Sequence, residues 1–257
     1  MQMTICNLIS NFKPMEIQMR LYWEAYAETY TTADLIREIE NPLRHYEDEF
    51  VDGAIVDIGC GQTTFLFDYI HTSRKLIGID NDQYQLDLLK NRLDALPSNQ
   101  AKIELLNLTL LTDPLPAEKY SVVFLANILH FFCLKECGEI LIQLKQNLVS
   151  GSFVYVWAHS DKYYMNDPSN PENNEYFKHY FTLADFDELF IPSGFERLSY
   201  SETERLFSKK EMKTQELWIN KYLDHLEIRD KKERKSIIKE NLINHPENDI
   251  NCIYRLL

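Results

Sequence analysis

The sequence predicts an α/β protein: a three-layer sandwich with helices on both faces of a mainly parallel, seven-stranded sheet. Three observations predict it. Short apolar runs alternate with helical stretches from residue 54 onward. The first run ends in a glycine turn, Gly59-Cys60-Gly61. The second ends in an acid, Asp80, 19 residues after Gly61, which is the reach of one right-handed crossover.

Residues 14–48 read as helical, with Pro14 in a first turn and Met15, Met19, Tyr22, Trp23, Tyr26 and Tyr30 recurring at three- and four-residue steps. Such a stripe packs on a core, and Tyr30, near the helix end, is also a candidate ligand contact. Asn41-Pro42 reads as an N-cap followed by Pro at the first helical position. Ala54–Ile58 is the first strand, followed by a helix from about Thr63 to His71. Lys75–Asp80 is the second strand, and residues 82–95 the next helix. Strands at 102–106 and 120–126 precede a helix over about 135–148, which Gly151 breaks before a fifth strand at 152–157. Continuous apolar runs of this kind are strands buried on both faces of a parallel sheet.

Residues 161–181 mix Tyr163, Tyr164, Tyr176, Phe177, Tyr180 and Phe181 with Asn and Pro and read as a loop. Thr182 and Asp185 form a capping box that opens a helix to about Phe190. Phe195–Tyr200 is a strand, 208–245 holds two helices, and Ile250–Leu256 is a last strand. Residues 1–50 are thus a helical cover on a domain spanning 51–257. The insertion at about 208–245 reads as a cap or as a homodimer contact.

Composition excludes several classes. Lys plus Arg is 27 and Asp plus Glu is 40, a net charge of −13, so a nucleic-acid partner lacks the basic face it needs. Aromatic content of 12% argues against disorder. The five cysteines, Cys6, Cys60, Cys133, Cys137 and Cys252, are odd in number, scattered and free of any CxxC, which fits a reducing, cytoplasmic setting. Neither a basic leader with a long apolar core nor a run of about 18 apolar residues occurs, so no signal peptide and no membrane partner is expected.

The chemistry is concentrated in Asp57-Ile58-Gly59-Cys60-Gly61-Gln62-Thr63-Thr64 and Asp80. Glycines at a strand-to-helix turn let a ligand approach the backbone, and an acid at the end of the next strand accepts from two ribose hydroxyls. An adenosine-containing ligand is expected at the carboxyl ends of these strands. A dinucleotide fingerprint wants a third glycine or alanine where Thr64 stands, which weakens the nicotinamide reading without removing it.

At these residues the sequence resembles the class I S-adenosylmethionine-dependent methyltransferases, whose Rossmann-like sheet ends in an antiparallel strand. Asp57-Ile58-Gly59-Cys60-Gly61 matches their first motif, with Thr63 in place of its last glycine, and Ile77–Asp80 matches the second. Leu115-Pro116, Tyr120–Val123 and Asn127–His130 resemble the fourth strand and its turn, with Ser121 where an Asp is usual. Leu148–Ser152 resembles the turn before the fifth strand.

The resemblance implies S-adenosylmethionine as cofactor and S-adenosylhomocysteine as product. Gly59 and Gly61 would pass under the methionine part, and Asp57 would hold the loop or receive the cofactor's amino group. Asp80 would bind the ribose, and Asn81, Asn107 and Leu108 would line the adenine. Tyr30, Cys60, Ala126 and Asn127 complete the cofactor set, Cys60 through its backbone and not as a nucleophile. The amino-methylase motif Asn/Asp-Pro-Pro-Tyr/Phe is absent, which agrees with an acceptor other than DNA or RNA; a small-molecule acceptor and O- or N-methylation are expected, with a protein acceptor still open.

His130, after the fourth strand, and His159, after the fifth, are candidate bases, each with an alternative structural role. Tyr163, Tyr164, Tyr176 and His179 in the 161–181 loop are candidate substrate contacts. His130, Cys133 and Cys137 have no second tight pair, so no metal site is expected. Two rival readings stay open: a nucleotide- or NAD-dependent enzyme, and a non-catalytic descendant that binds cofactor or a partner.

Overall fold

The computed structural model describes residues 15–31, 34, 40–96, 103–167, 169 and 176–257. Cys6 and Pro14, and positions 168 and 170–175 of the 161–181 loop, lie outside the described residues. The strands are β1 (Ala54–Ile58), β2 (Leu76–Asp80), β3 (Ile103–Asn107), β4 (Tyr120–Ala126), β5 (Leu148–His159), β6 (Phe195–Arg205) and β7 (Glu247–Leu256). The α-helices are α1 (Met15–Thr29), α2 (Gln83–Asp94), α3 (Leu134–Lys145), α4 (Leu183–Phe190), α5 (Lys209–His225) and α6 (Lys231–Asn241). The strands form one sheet in the order β3-β2-β1-β4-β5-β7-β6. β7 runs antiparallel to both β5 and β6, and the other neighbours are parallel. The predicted α/β architecture, strand count and antiparallel last strand are all present.

Every residue of β1 and β4 is buried, which is why they carry no exposed polar alternation. Successive side chains still go to opposite layers. Val56, Val123 and Val154 join Ile140 and Leu144 of α3 and Phe186 and Phe190 of α4. Ile55, Val122 and Phe153 join Leu43, Phe65 and Tyr69 on the other face. Each such aliphatic side chain contributes roughly 1.5–3 kcal/mol by leaving water.

Three local expectations shift. The helix expected at Thr63–His71 is a 3₁₀ turn, Phe65–Tyr69. Thr64 caps it by accepting from Leu66 N, and Thr72 Oγ1 donates back to the Tyr69 carbonyl and closes it. Gly151 does not separate helix from strand. It sits inside β5 at φ +89°, where Ser152 Oγ donates to the Tyr120 carbonyl and the β4–β5 register slips. β6 runs on past Tyr200 to Arg205 because it is an edge strand, whose outer half is polar and gives no apolar signal.

Asn41 accepts from Leu43 N at the head of a 3₁₀ helix, Pro42–Glu49. The α1 aromatics meet α5, where Tyr22 and Trp218 rings lie edge to face at 5.7 Å and Trp218 Nε1 donates to the Gln18 carbonyl. Lys221 of α5 pairs with Glu28, and Lys210 pairs with Asp34. Within the insertion, α5 thus packs on α1, and both line the carboxyl ends of the strands.

Candidate active site

A cavity of about 1180 Å³ opens at those strand ends, lined by α1, the glycine turn, the ends of β2, β4 and β5, the start of β7, and α5. It brings together Tyr30, Gly59, Cys60, Gly61, Asp80, Asn81, Leu108, Ala126, Asn127, His130, His159, Tyr163, Tyr164 and Tyr176.

Three predicted residues fall outside this lining. Asp57 is fully buried behind the turn, where its Oδ2 accepts from Thr64 Oγ1 at 2.8 Å and Phe65 N at 3.1 Å. Of the two roles expected for it, the structure supports loop support. Asn107 is exposed and donates from Nδ2 to the Asp80 carbonyl at 3.3 Å, so Leu108 faces the cavity and Asn107 does not. His179 lies 3.3 Å from the Asp185 carboxylate and packs edge to face on Phe181, away from the cavity. The sequence could not tell which aromatics and histidines of the loop turn inward.

The glycine turn is held from below. Gly59 N and Cys60 N donate to the Ile79 carbonyl, and Gly61 N donates to Asp80 Oδ2 at 2.9 Å. Asp80 Oδ1 accepts from Asp82 N, and Asp82 caps α2. Asp80 thus has a fixed orientation before any ribose arrives. Gly59 has φ +72°, and a Cβ there would lie 1.9 Å from Ile128 Cγ2. Gly61 has φ +58° and open space where a Cβ would stand. Cys60 turns its thiol under α2, among Leu86, Leu89 and Leu93, so only its backbone meets the cavity. Thr63 lines the cavity, and Ser121 is buried inside the sheet.

Sequence reading missed a clamp on this turn. Arg92 of α2 is buried and donates to the Gln62 carbonyl, to Gln62 Oε1 and to the Tyr30 carbonyl, while Gln62 Nε2 donates to the Trp23 carbonyl. One guanidinium ties α1 to the glycine turn. No local motif signals it, because Arg92 and Tyr30 are 62 residues apart.

The other half of the cavity is aromatic and acidic. His159 Nδ1 lies 2.9 Å from Asp249 Oδ1, and its ring is stacked between His130 at 4.2 Å and Tyr163 at 3.8 Å. An imidazole that donates from Nδ1 to a carboxylate carries its lone pair on Nε2. His130 Nδ1 faces the His159 backbone N–H, and burial, then the neighbouring His159, pushes its pKa well down. His130 is therefore held neutral beside His159. Glu247 is buried next to Asp249, and its Oε2 lies 2.5 Å from Arg205. Burial is the main cause that raises the Glu247 carboxyl to about 8, with Arg205 opposing. Arg205 also holds Glu211 at 2.8 Å. Glu247, Asp249, Glu211 and Arg205 were not foreseen, because the sequence reading began the last strand at Ile250.

Comparison with known proteins bears on the family and the fold. Residues 55–151 match the family model described as a methyltransferase domain. No curated protein matches the sequence. The fold is similar to an S-adenosylmethionine-dependent methyltransferase from Methanosarcina mazei, at TM-score 0.57 and 15% identity, covering 85% of this chain and 98% of that one. It is similar to TehB from Haemophilus influenzae at TM-score 0.58 and 14% identity, covering 92% and 67%. It is also similar to a coclaurine N-methyltransferase bound to N-methylheliamine and S-adenosylhomocysteine, at TM-score 0.54 and 11% identity, covering 96% and 90%.

Proposed function

We propose that this chain, whose residues 55–151 match a methyltransferase-domain model, is a class I S-adenosylmethionine-dependent methyltransferase that methylates an oxygen or nitrogen of a small molecule. The single observation that carries the acceptor class is the cavity. Its volume of about 1180 Å³ exceeds the roughly 300–1,000 Å³ usual for one ligand, and α1 and α5 roof it. A macromolecular acceptor would need an open face there. Residues 51–257 act as one catalytic domain under the 1–50 cover in this reading.

The residues present fit the cofactor. Gly61 leaves open room above its backbone, Gly59 admits no side chain, and Asp80 stands at the strand end with its carboxylate already oriented. Leu108, Asn81 and Ala126 would line the nucleoside, and Tyr30 would close the edge where Arg92 anchors α1. S-adenosylmethionine, when bound, supplies an electrophilic methyl group on a sulfonium. The chain's own task is alignment and exclusion of water. His159 is the group suited to take a proton from the acceptor, since Asp249 fixes its tautomer and stabilises its charged form.

The free thiols of Cys60, Cys133, Cys137 and Cys252 support a reducing, cytoplasmic setting. Among the described residues no helix is long and apolar enough to cross a membrane. Calorimetric titration tests the reading: S-adenosylhomocysteine should bind at micromolar levels and NADH should not. NADH binding with no response to S-adenosylhomocysteine would overturn it.

A further inference from the structure

We propose that the acceptor is an amine, bound as its ammonium ion and carrying a flat apolar body, and that Glu247 and Asp249 are the groups that select it. This rests on the methyl-transfer reading above and names its substrate class.

The acceptor half of the cavity is unbalanced in charge and in hydrogen-bonding groups. Glu211, Glu247 and Asp249 line it against one guanidinium among the described lining residues, Arg205. That guanidinium is already engaged by Glu211 and Glu247. An incoming carboxylate or phosphate would meet acids and no uncommitted cation. A neutral alcohol would cover the carboxyl groups without compensating them, and that is costly in a desolvated site. An ammonium supplies three N–H donors and a positive charge that favours the ionised form of Glu247, whose carboxyl burial otherwise raises to about 8.

The walls point the same way. Tyr22, Tyr163, Tyr176 and Trp218 line the same cavity, and aromatic ring faces attract a cation and hold a flat body. Burial, then Tyr26, Glu247 and Glu211, pushes the Tyr22 hydroxyl up, so it stays neutral beside the acids.

The same residues handle the proton. An ammonium has no lone pair and cannot accept a methyl group. Transfer of one N–H proton to His159 Nε2 frees the nitrogen pair, and Asp249 stabilises the imidazolium that forms. The nitrogen–carbon bond then forms as the sulfur–carbon bond of the cofactor breaks, with that pair returning to sulfur as the thioether of S-adenosylhomocysteine. The product leaves as an N-methylammonium, and His159 returns its proton to water.

The test titrates protein loaded with S-adenosylhomocysteine with three probes of one shape: phenethylamine, phenethyl alcohol and phenylacetate. The amine should bind at least about tenfold more tightly than either of the others. In Glu247→Gln the amine should lose about tenfold, while the alcohol stays within about twofold. Amine binding absent, or no tighter than that of the alcohol or the carboxylate, overturns the inference. The comparison among probes needs no variant, so a misfolded Glu247→Gln does not blunt it. If S-adenosylhomocysteine itself fails to bind, the methyltransferase reading falls, and amine selectivity is then read separately on the ligand-free protein.

Discussion

The two halves of the cavity are built by different means. The β1–β2 half is made of backbone. Gly59, Cys60 and Gly61 are placed by hydrogen bonds to Ile79 and Asp80, all within a stretch of about two dozen residues. The β5–β7 half is made of side chains that meet from far apart. His159 and Asp249 are 90 residues distant and become neighbours because β7 returns antiparallel to β5, which pairs them in register. A backbone-built site tolerates little change at its glycines and much at its other side chains. A side-chain-built site does the reverse, and it is the half free to define a substrate.

The comparison breaks most visibly at Gly59. Gly59→Ala must place a Cβ into Ile128 and adopt φ +72°. Strain and overpacking together should cost about 3–5 kcal/mol, seen as a lower urea midpoint and lost S-adenosylhomocysteine binding. Gly61→Ala meets open space, so only its φ of +58° is penalised, by about 1 kcal/mol. Equal losses in the two variants would show that the turn is not held as described.

On the other half, Asp249→Asn should leave S-adenosylhomocysteine affinity within about twofold, because the cofactor residues are remote from it. Turnover of an amine acceptor should fall by about 10²–10⁴-fold as His159 loses its orienting carboxylate. Affinity and turnover falling together would mean that the two halves are not separable. Back on the cofactor side, Asp80→Ala should weaken S-adenosylhomocysteine binding by about 1.5–3 kcal/mol in calorimetry, with the fold intact by circular dichroism. Unchanged affinity in folded protein would remove Asp80 from the ribose site.

The same contrast explains what could be read from the sequence. The sheet was legible because β1, β2, β4 and β5 are apolar runs with the turn chemistry between them. Thr182 and Asp185 announced α4 through a capping box that the structure contains. The glycine turn and Asp80 were legible because one local spacing encodes them. The Arg92 clamp, the Arg205–Glu247 pair and the His159–Asp249 pair were not, since each joins residues that only the folded sheet brings together. Between Asn107 and Leu108, a step of one position along the backbone decides which side chain enters the cavity.

A pH series isolates Glu247 within the acidic half. Its carboxyl is raised from 4.5 to about 8 in the folded state. The unfolded chain therefore releases this proton first as pH rises, and folding stability is lost between about pH 4.5 and pH 8, by at most about 1.4 kcal/mol per pH unit. His130 acts in the opposite sense. Its folded pKa is depressed, so its contribution is present above the unfolded value and is lost as pH falls below about 6.5. Arg205 keeps its charge across this range, and Glu211, Asp249 and His159 face Glu247 equally in both proteins. The difference between wild type and Glu247→Gln in urea midpoint should therefore carry the Glu247 term alone. Wild type should lose stability relative to the variant from pH 5 to pH 8 and run parallel to it above pH 9. A constant offset across the whole range would mean that Glu247 is ionised throughout and shares with Asp249 the negative charge of this half.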